Sequence, residues 1–226
     1  MKRLEFDVPG RGRLDVDINI VLLGAFTGRE LADVQAHIDE MAARGVTPPT
    51  SFPLFYRAMT CLLTQGGEAE ASGCDTCPEV EFVVFSVSGE QFVTVGNDQF
   101  DLDLEARGFG EKSKNICQKV VARTAWPLGE VSAHWDRLIL ELAQEGRPLQ
   151  RGPVSQLGSP ARLSEKAACV AAVPRDGTML FSGTIPFMAE IGSGTRTFSA
   201  ALIDPVLRRE IRHDFRISVV TAAAAA

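Results

Sequence analysis

The sequence predicts an α+β fold, and three observations carry that prediction. Short stretches of alternating apolar and polar residues recur along the chain, the pattern of strands with one buried face. Only about three stretches carry a helical period. No internal repeat or low-complexity linker interrupts the chain. The expectation is one domain over residues 1–221 with a large, mostly antiparallel or mixed sheet system. At 226 residues the chain is long enough to bury a sizeable core. The run Ala222–Ala226 carries no side-chain information and is set aside.

Leu4–Val8 and Leu14–Leu23 read as two strands, the second with Leu14, Val16, Ile18 and Ile20 on one face. Thr27-Gly28-Arg29-Glu30 reads as a capping box with Thr27 as N-cap. The helix it opens carries Leu31, Val34, Ile38 and Met41 as a core stripe and ends at Gly45. His37 and Glu40 are neighbours beside that stripe. Thr47–Pro53 is an extended connector feeding Leu54-Phe55-Tyr56-Arg57. Gly66–Thr76 is Gly-, Glu- and Ser-rich and reads as a loop.

Pro78-Glu79-Val80-Glu81-Phe82-Val83-Val84-Phe85 is the most informative stretch. It reads as a strand that places Glu79 and Glu81 on one face. Side-by-side carboxylates repel unless they share a proton, bind a divalent cation or face water. After a turn at Ser88-Gly89-Glu90, the strand Gln91–Val95 runs into Asp98, so a hairpin can bring the three carboxylates together.

Asp98–Arg107 reads as a short helix, followed by a loosened Gly108–Gly110 and a helical turn at Leu128–Ala133. Leu138, Leu140 and Leu142 favour a strand, with a helix over Val131–Leu142 as the alternative. Gln144-Glu145-Gly146 turns that strand into Arg147–Arg151. Ser159–Ala172 is a helix with Ser159 as N-cap and Pro160 at the first turn. Thr178–Phe181 is a strand, and Thr197–Ile203 with Arg208–Val220 forms a last hairpin. His134 is expected to bond locally, and His213 to sit on a buried strand face.

The net charge is −6 and the pI about 5.2, with no basic patch. Nucleic acid and anionic membranes are therefore poor partners. The longest apolar run, Ile18–Phe26, is too short to span a bilayer, and acids at the N-terminus oppose a signal peptide. A cytoplasmic protein is expected. Five cysteines, among them the lone pair Cys74 and Cys77, support neither a disulfide framework nor a zinc ribbon.

Several stretches in order resemble the fumarylacetoacetate hydrolase superfamily, in a short bacterial branch of unknown function. His37-Ile38-Asp39-Glu40 and Pro53-Leu54-Phe55-Tyr56-Arg57 are similar to the family's HxxE lid helix and the segment after it. Glu79-Val80-Glu81 resembles its metal-binding ExE strand, and Asn97-Asp98 its ND pair. Lys114 falls where the family keeps a catalytic lysine. Leu138–Gln150 resembles the family's strand, turn and following Gln, and Gly177–Pro186 its closing loop. The chain departs from the family at Gln99-Phe100-Asp101-Leu102-Asp103, which lacks an arginine, and at Arg57, which replaces a lysine.

The resemblance implies a mixed β-sheet roll with a few flanking helices, and Glu79, Glu81 and Asp98 as metal ligands. Three carboxylates form a hard site that favours Mg²⁺ or Mn²⁺, with Ca²⁺ as a further option. It implies C–C hydrolysis of a small, anionic 2-oxo acid or β-dicarbonyl through a metal-stabilised enolate. Lys114 would stabilise the developing charge, and His37 with Glu40 would activate water. Gly183 and Thr184 would hold a substrate carboxylate, with Arg29, Tyr56 and Arg57 as further substrate contacts. A homodimer is implied as well. A decarboxylase, tautomerase or hydratase on the same platform, and a non-catalytic binder, stand as alternatives.

Overall fold

The structure is a computed structural model and describes residues 1–43, 51–73, 75–171, 173–191 and 196–220. A hairpin of β1 (Lys2–Val8) and β2 (Gly12–Ile18) opens the chain. β3 (Ile20–Ala25), α1 (Leu31–Ala43) and β4 (Leu54–Ala58) follow. Three short strands come next: β5 (Leu63–Thr64), β6 (Glu68–Ser72) and β7 (Thr76–Cys77). The long hairpin of β8 (Val80–Val87) and β9 (Glu90–Asp98) runs into β10 (Phe100–Asp101), α2 (Leu102–Ala106) and α3 (Gly110–Asn115). β11 (Lys119–Val121), β12 (Trp126–Pro127) and α4 (Leu128–Val131) lead to a second hairpin, β13 (Ile139–Gln144) and β14 (Arg147–Pro153). After α5 (Pro160–Ala171) and β15 (Thr178–Phe181) comes a third, β16 (Arg196–Asp204) and β17 (Arg209–Val220).

Two sheets dominate. The eight-stranded sheet has the order β4-β3-β15-β8-β9-β11-β5, with β12 also on β9. It is mixed, because β15 runs parallel to β3 and β11 parallel to β5. The five-stranded sheet has the order β14-β13-β16-β17-β6. The α+β class and the mixed sheet with few helices are thus observed.

β8 and β9 lie at the centre, covered on both faces. Phe82, Val84, Val93 and Val95 meet Leu140, Leu142, Leu202 and Phe215 of the second sheet. Val83, Phe85 and Phe92 pack under Leu4, Phe6, Val16 and Ile18 of the first hairpin, with Phe6 stacked on Phe85 at 4.4 Å. A strand covered on both faces needs apolar side chains at successive positions. That accounts for the unbroken run Phe82–Phe85, and it leaves an acid in this strand no route to water.

Several expectations need correction. Leu14–Leu23 is two strands, because the Asn19 N–H donates to the Gly177 carbonyl at 2.7 Å and the chain changes sheets there. Thr27 is not an N-cap: it is buried, and the helix starts four residues later, leaving Leu31 58% exposed. Val34 and Ile38 are buried as expected, whereas the Met41 side chain and Gly45 lie outside the described residues. Gly66–Thr76 is not all loop. Ala69 and Ala71 of β6 point inward between exposed Glu68 and Glu70, and parallel pairing with β17 stabilises a sequence with poor strand propensity. The alternatives at Val131–Leu142 divide: helical turns run to Arg137, and a strand begins at Ile139. His134 bonds far along the chain, its Nε2 lying 3.0 Å from Asp204.

Asp98–Arg107 is helical only over α2, because Asp98 closes β9 and Phe100–Asp101 pair with Thr76–Cys77, and His213 is half-buried with its Nε2 3.0 Å from the Gly66 carbonyl. Glu145 and Gly146 both have positive φ, the conformation a tight two-residue hairpin requires. Ser159 Oγ accepts from the Arg162 N–H at the start of α5. Cys74 and the run Ala222–Ala226 lie outside the described residues. Among the described residues no helix is long and apolar enough to cross a membrane.

Candidate metal centre

The β8–β9 register builds the site. Val80 pairs with Asn97 and Glu81 with Gly96, so Glu79 comes alongside Asp98. The Asp98 N–H donates to the Glu79 carbonyl, and the Glu79 N–H donates to Asn97 Oδ1, both at 2.9 Å. One carboxylate oxygen from each of Glu79, Glu81 and Asp98 lies within 4.8 Å of the others.

A loop after β15 fixes the second carboxylate. The Gly183 N–H donates to Glu81 Oε2 at 2.8 Å. Gly183 sits at φ +84°, and a Cβ there would lie 2.3 Å from Thr27 Oγ1, so only glycine allows this approach. Thr184 Oγ1 donates to the Val80 carbonyl at 2.8 Å and accepts from Gln150 Nε2 at 2.9 Å. Gln150 Oε1 in turn accepts from the Val80 N–H at 3.0 Å. Gly183 and Thr184 therefore hold the carboxylate-bearing strand through their own hydrogen bonds. Glu81 Oε1 is buried and has no hydrogen-bond partner among the described residues.

Two ammonium groups enter the cluster. Lys114 Nζ, from α3, lies 2.8 Å from Glu79 Oε2 and 2.8 Å from Asp98 Oδ2, and 4.0 Å from the centre of the Phe100 ring. Lys119, opposite Asp98 on β11, is fully buried with Nζ 2.7 Å from Asp98 Oδ1 and donates to the Gln99 carbonyl. Three carboxylates against two ammonium groups leave a formal charge of −1.

Burial sets the titration of the cluster. It pushes the Glu81 carboxyl well above the ordinary range, and the Asp98 and Glu79 charges add to that. Burial raises Glu79 too, against the opposing Lys114 charge. At Asp98 burial acts the same way, but Lys114 and Lys119 outweigh it and hold the carboxyl below its usual value. Burial lowers Lys119. At Lys114 burial is outweighed by Asp98, Glu79 and Glu105, which raise it well above a free lysine.

A hard divalent ion fits this donor set. The three candidate ligand atoms are carboxylate oxygens within 4.8 Å of one another, and the same residues include a buried oxygen with no hydrogen-bond partner among the described residues, Glu81 Oε1.

The remaining expected residues fall in different places. His37 and Glu40 lie on α1, but their side chains are outside the described residues. Tyr56, on β4, packs its hydroxyl against α3, where a Cβ on Gly110 would lie 2.5 Å from it. Burial raises the Tyr56 phenol, with the Glu105 charge adding and Lys114 opposing. Arg57 is exposed and follows Tyr56 on the strand, so it points to the opposite face. Arg29 is held by Asp136 through two contacts of 2.7 and 2.6 Å, which satisfies its charge away from the carboxylates.

Reading the sequence missed Lys119, Glu105 and the part played by Gln150. The one signal for Lys119 was a cation heading the apolar run Val120–Val121. Glu105, half-buried on α2, has its carboxyl pushed up to about 7 by burial, opposed by Lys114 and reinforced by Glu79 and Asp98.

A family model described as "Protein of unknown function (DUF2848)" matches residues 24–215. The chain belongs to DUF2848. No curated protein matches it in sequence. In three dimensions this DUF2848 member is similar to a fumarylpyruvate hydrolase from Pseudomonas aeruginosa, solved in complex with Mn²⁺ and pyruvate. The TM-score is 0.64 at 17% identity, covering 98% of this chain and 97% of the other. It is also similar to a yeast protein of the fumarylacetoacetate hydrolase family, with a TM-score of 0.62 at 12% identity and coverage of 89% and 94%. A third likeness is to 5-carboxymethyl-2-hydroxymuconate delta-isomerase from Mycobacterium smegmatis, with a TM-score of 0.60 at 14% identity and coverage of 99% and 100%. The DUF2848 chain thus has the fumarylacetoacetate hydrolase fold.

Proposed function

We propose that the protein is a divalent-metal-dependent hydrolase that cleaves a C–C bond in a small, anionic 2-oxo acid or β-dicarbonyl of the acylpyruvate kind. The observation that carries this is the set of half-buried Glu79 with buried Glu81 and Asp98, converging within 4.8 Å beside two lysines. The fold adds support, because a structural neighbour holds Mn²⁺ and pyruvate. Glu79, Glu81 and Asp98 would hold Mg²⁺ or Mn²⁺, which supplies Lewis-acid neutralisation of the charge that develops on a substrate oxygen. Lys119, fixed by Asp98 and the Gln99 carbonyl, would stabilise that charge without reorganisation, as electrostatic stabilisation requires. His37 and Glu40 would draw the proton from the attacking water, a role worth typically 10²–10⁴-fold in rate. Tyr56, Gly183 and Thr184 shape the substrate side, and a cytoplasmic homodimer completes the reading.

The alternative on the same centre is an isomerase, decarboxylase or hydratase, and the likeness to a delta-isomerase favours keeping it. The two separate on water activation. Glu40→Gln should keep metal binding and lose hydrolysis of acylpyruvates by 10²-fold or more. Unchanged turnover would remove the water-activating role. The metal itself is tested by melting the protein in Mg²⁺ and Mn²⁺, with and without oxalate, beside Asp98→Ala. A shift that oxalate enlarges and the variant lacks supports the reading; no shift at millimolar metal rejects it.

A further inference from the structure

The position of Lys114 bears on how the centre is loaded. Its Nζ touches Glu79 Oε2 and Asp98 Oδ2 at equal distances of 2.8 Å, and its side chain is only 4% exposed. Two of the three candidate ligands therefore already share one cation. A divalent ion held by either of those oxygens at about 2.1 Å would lie within about 5 Å of Nζ. Two positive centres at that spacing in a buried site repel strongly.

We propose that Lys114 is an internal competitor for the metal: its ammonium and a divalent ion exclude each other on Glu79 and Asp98, and the ammonium moves to Glu105 when the ion binds. This rests on the metal reading above and deepens it. Lys119 does not share the behaviour. It is fully buried, donates to the Gln99 carbonyl and is held in register by β11. Lys114 has somewhere to go. It sits near the end of the six-residue helix α3, on a long flexible side chain; α2, which carries Glu105, packs directly against α3, and the Glu105 charge acts on Lys114 after those of Asp98 and Glu79. Glu105 is half-buried, and no hydrogen bond or ion pair to its carboxylate is found among the described residues. A carboxyl held up to about 7 by burial gains a partner when the ammonium arrives. The ion takes the two oxygens, the displaced ammonium neutralises Glu105, and the four acids with their two lysines go from a formal charge of −2 to 0. Metal affinity is then set by this exchange as well as by the three ligands.

The test is calorimetric titration of MnCl₂ into the full chain and into Lys114→Met, Glu105→Gln and the double variant. Lys114→Met should bind Mn²⁺ at least tenfold more tightly than the native protein. Glu105→Gln should bind severalfold more weakly, and the double variant should match Lys114→Met, because Glu105 acts only through the ammonium. Equal or weaker binding in Lys114→Met, with native binding intact, overturns the proposal and leaves the metal centre standing. No binding in either chain overturns both.

A second measurement needs no variant. Acetic anhydride labelling read by mass spectrometry should find Lys114 protected without metal and modified in saturating Mn²⁺, while Lys119 stays protected in both. Protection of Lys114 that Mn²⁺ does not change also overturns the exchange.

Discussion

Asp98 carries two ammonium groups, Lys114 at 2.8 Å and Lys119 at 2.7 Å, and none of the three reaches water freely. Asp98→Asn keeps the shape and removes the charge, leaving two buried cations with one carboxylate less. Breaking a buried pair typically costs about 3–5 kcal/mol. Urea unfolding without metal should show a loss of that order, and a loss under 1 kcal/mol would mean the lysines find other partners. Glu105 makes a prediction in pH. Its folded pKa of about 7 lies above the ordinary carboxyl value of 4.5. The folded state binds the extra proton between those values, so this group costs stability as pH rises from 4.5 to 7 and the full penalty remains above 7. Glu105→Gln should match the native protein near pH 4 and exceed it by about 1–3 kcal/mol at pH 8, read by denaturant midpoints. At this scale the sequence was legible where residue type and spacing suffice: Glu79, Glu81 and Asp98 follow from one strand period and one turn. Lys119 was not, because its role comes from the register of β11 against β9, where it pairs with Asp98 across 21 residues, and no local pattern announces that.

β8 was read correctly as a strand because its neighbours in space demand apolar residues at successive positions from Phe82 to Phe85, and that demand is written in consecutive residues. β6 was missed for the converse reason. Glu68-Ala69-Glu70-Ala71 alternates, but with the residues least suited to strands, and its strand state is imposed by β17. Thr27 looked like a helix cap, yet it serves the loop after β15, where its hydroxyl faces Gly183. That loop gives an element-scale prediction. Gly183→Ala forces a Cβ into a left-handed conformation 2.3 Å from Thr27 Oγ1, which should cost about 1–3 kcal/mol and turn the Gly183 N–H away from Glu81. Adding Thr27→Gly should restore only part of the loss, because it removes the clash and leaves the backbone strain. Full recovery would place the whole cost in the contact. Gln150→Leu is the complementary change. It strips partners from the Val80 N–H and Thr184 Oγ1, each worth about 1–3 kcal/mol when buried.

For the molecule as a whole, the fold class followed from counting strands against helices. The arrangement of the sheets did not, since β15 enters between β3, 158 residues before it, and β8, almost 100 residues before it. The centre lies where both sheets meet, so a bound ion should be felt globally. Mn²⁺ at 100 times its Kd should stabilise the protein by about 2.7 kcal/mol, and a chelator should return the melting temperature to the metal-free value. A metal-independent melting curve would contradict that coupling. The parallel pair of β6 and β17 has a further implication for biosynthesis. Arg216 reaches Glu68 across 148 residues, so β6 leaves the ribosome long before its partner exists. Until then Ala69 and Ala71 have nothing to pack beneath, and the nascent chain carries the two glutamates of β6 as its guard against premature edge pairing.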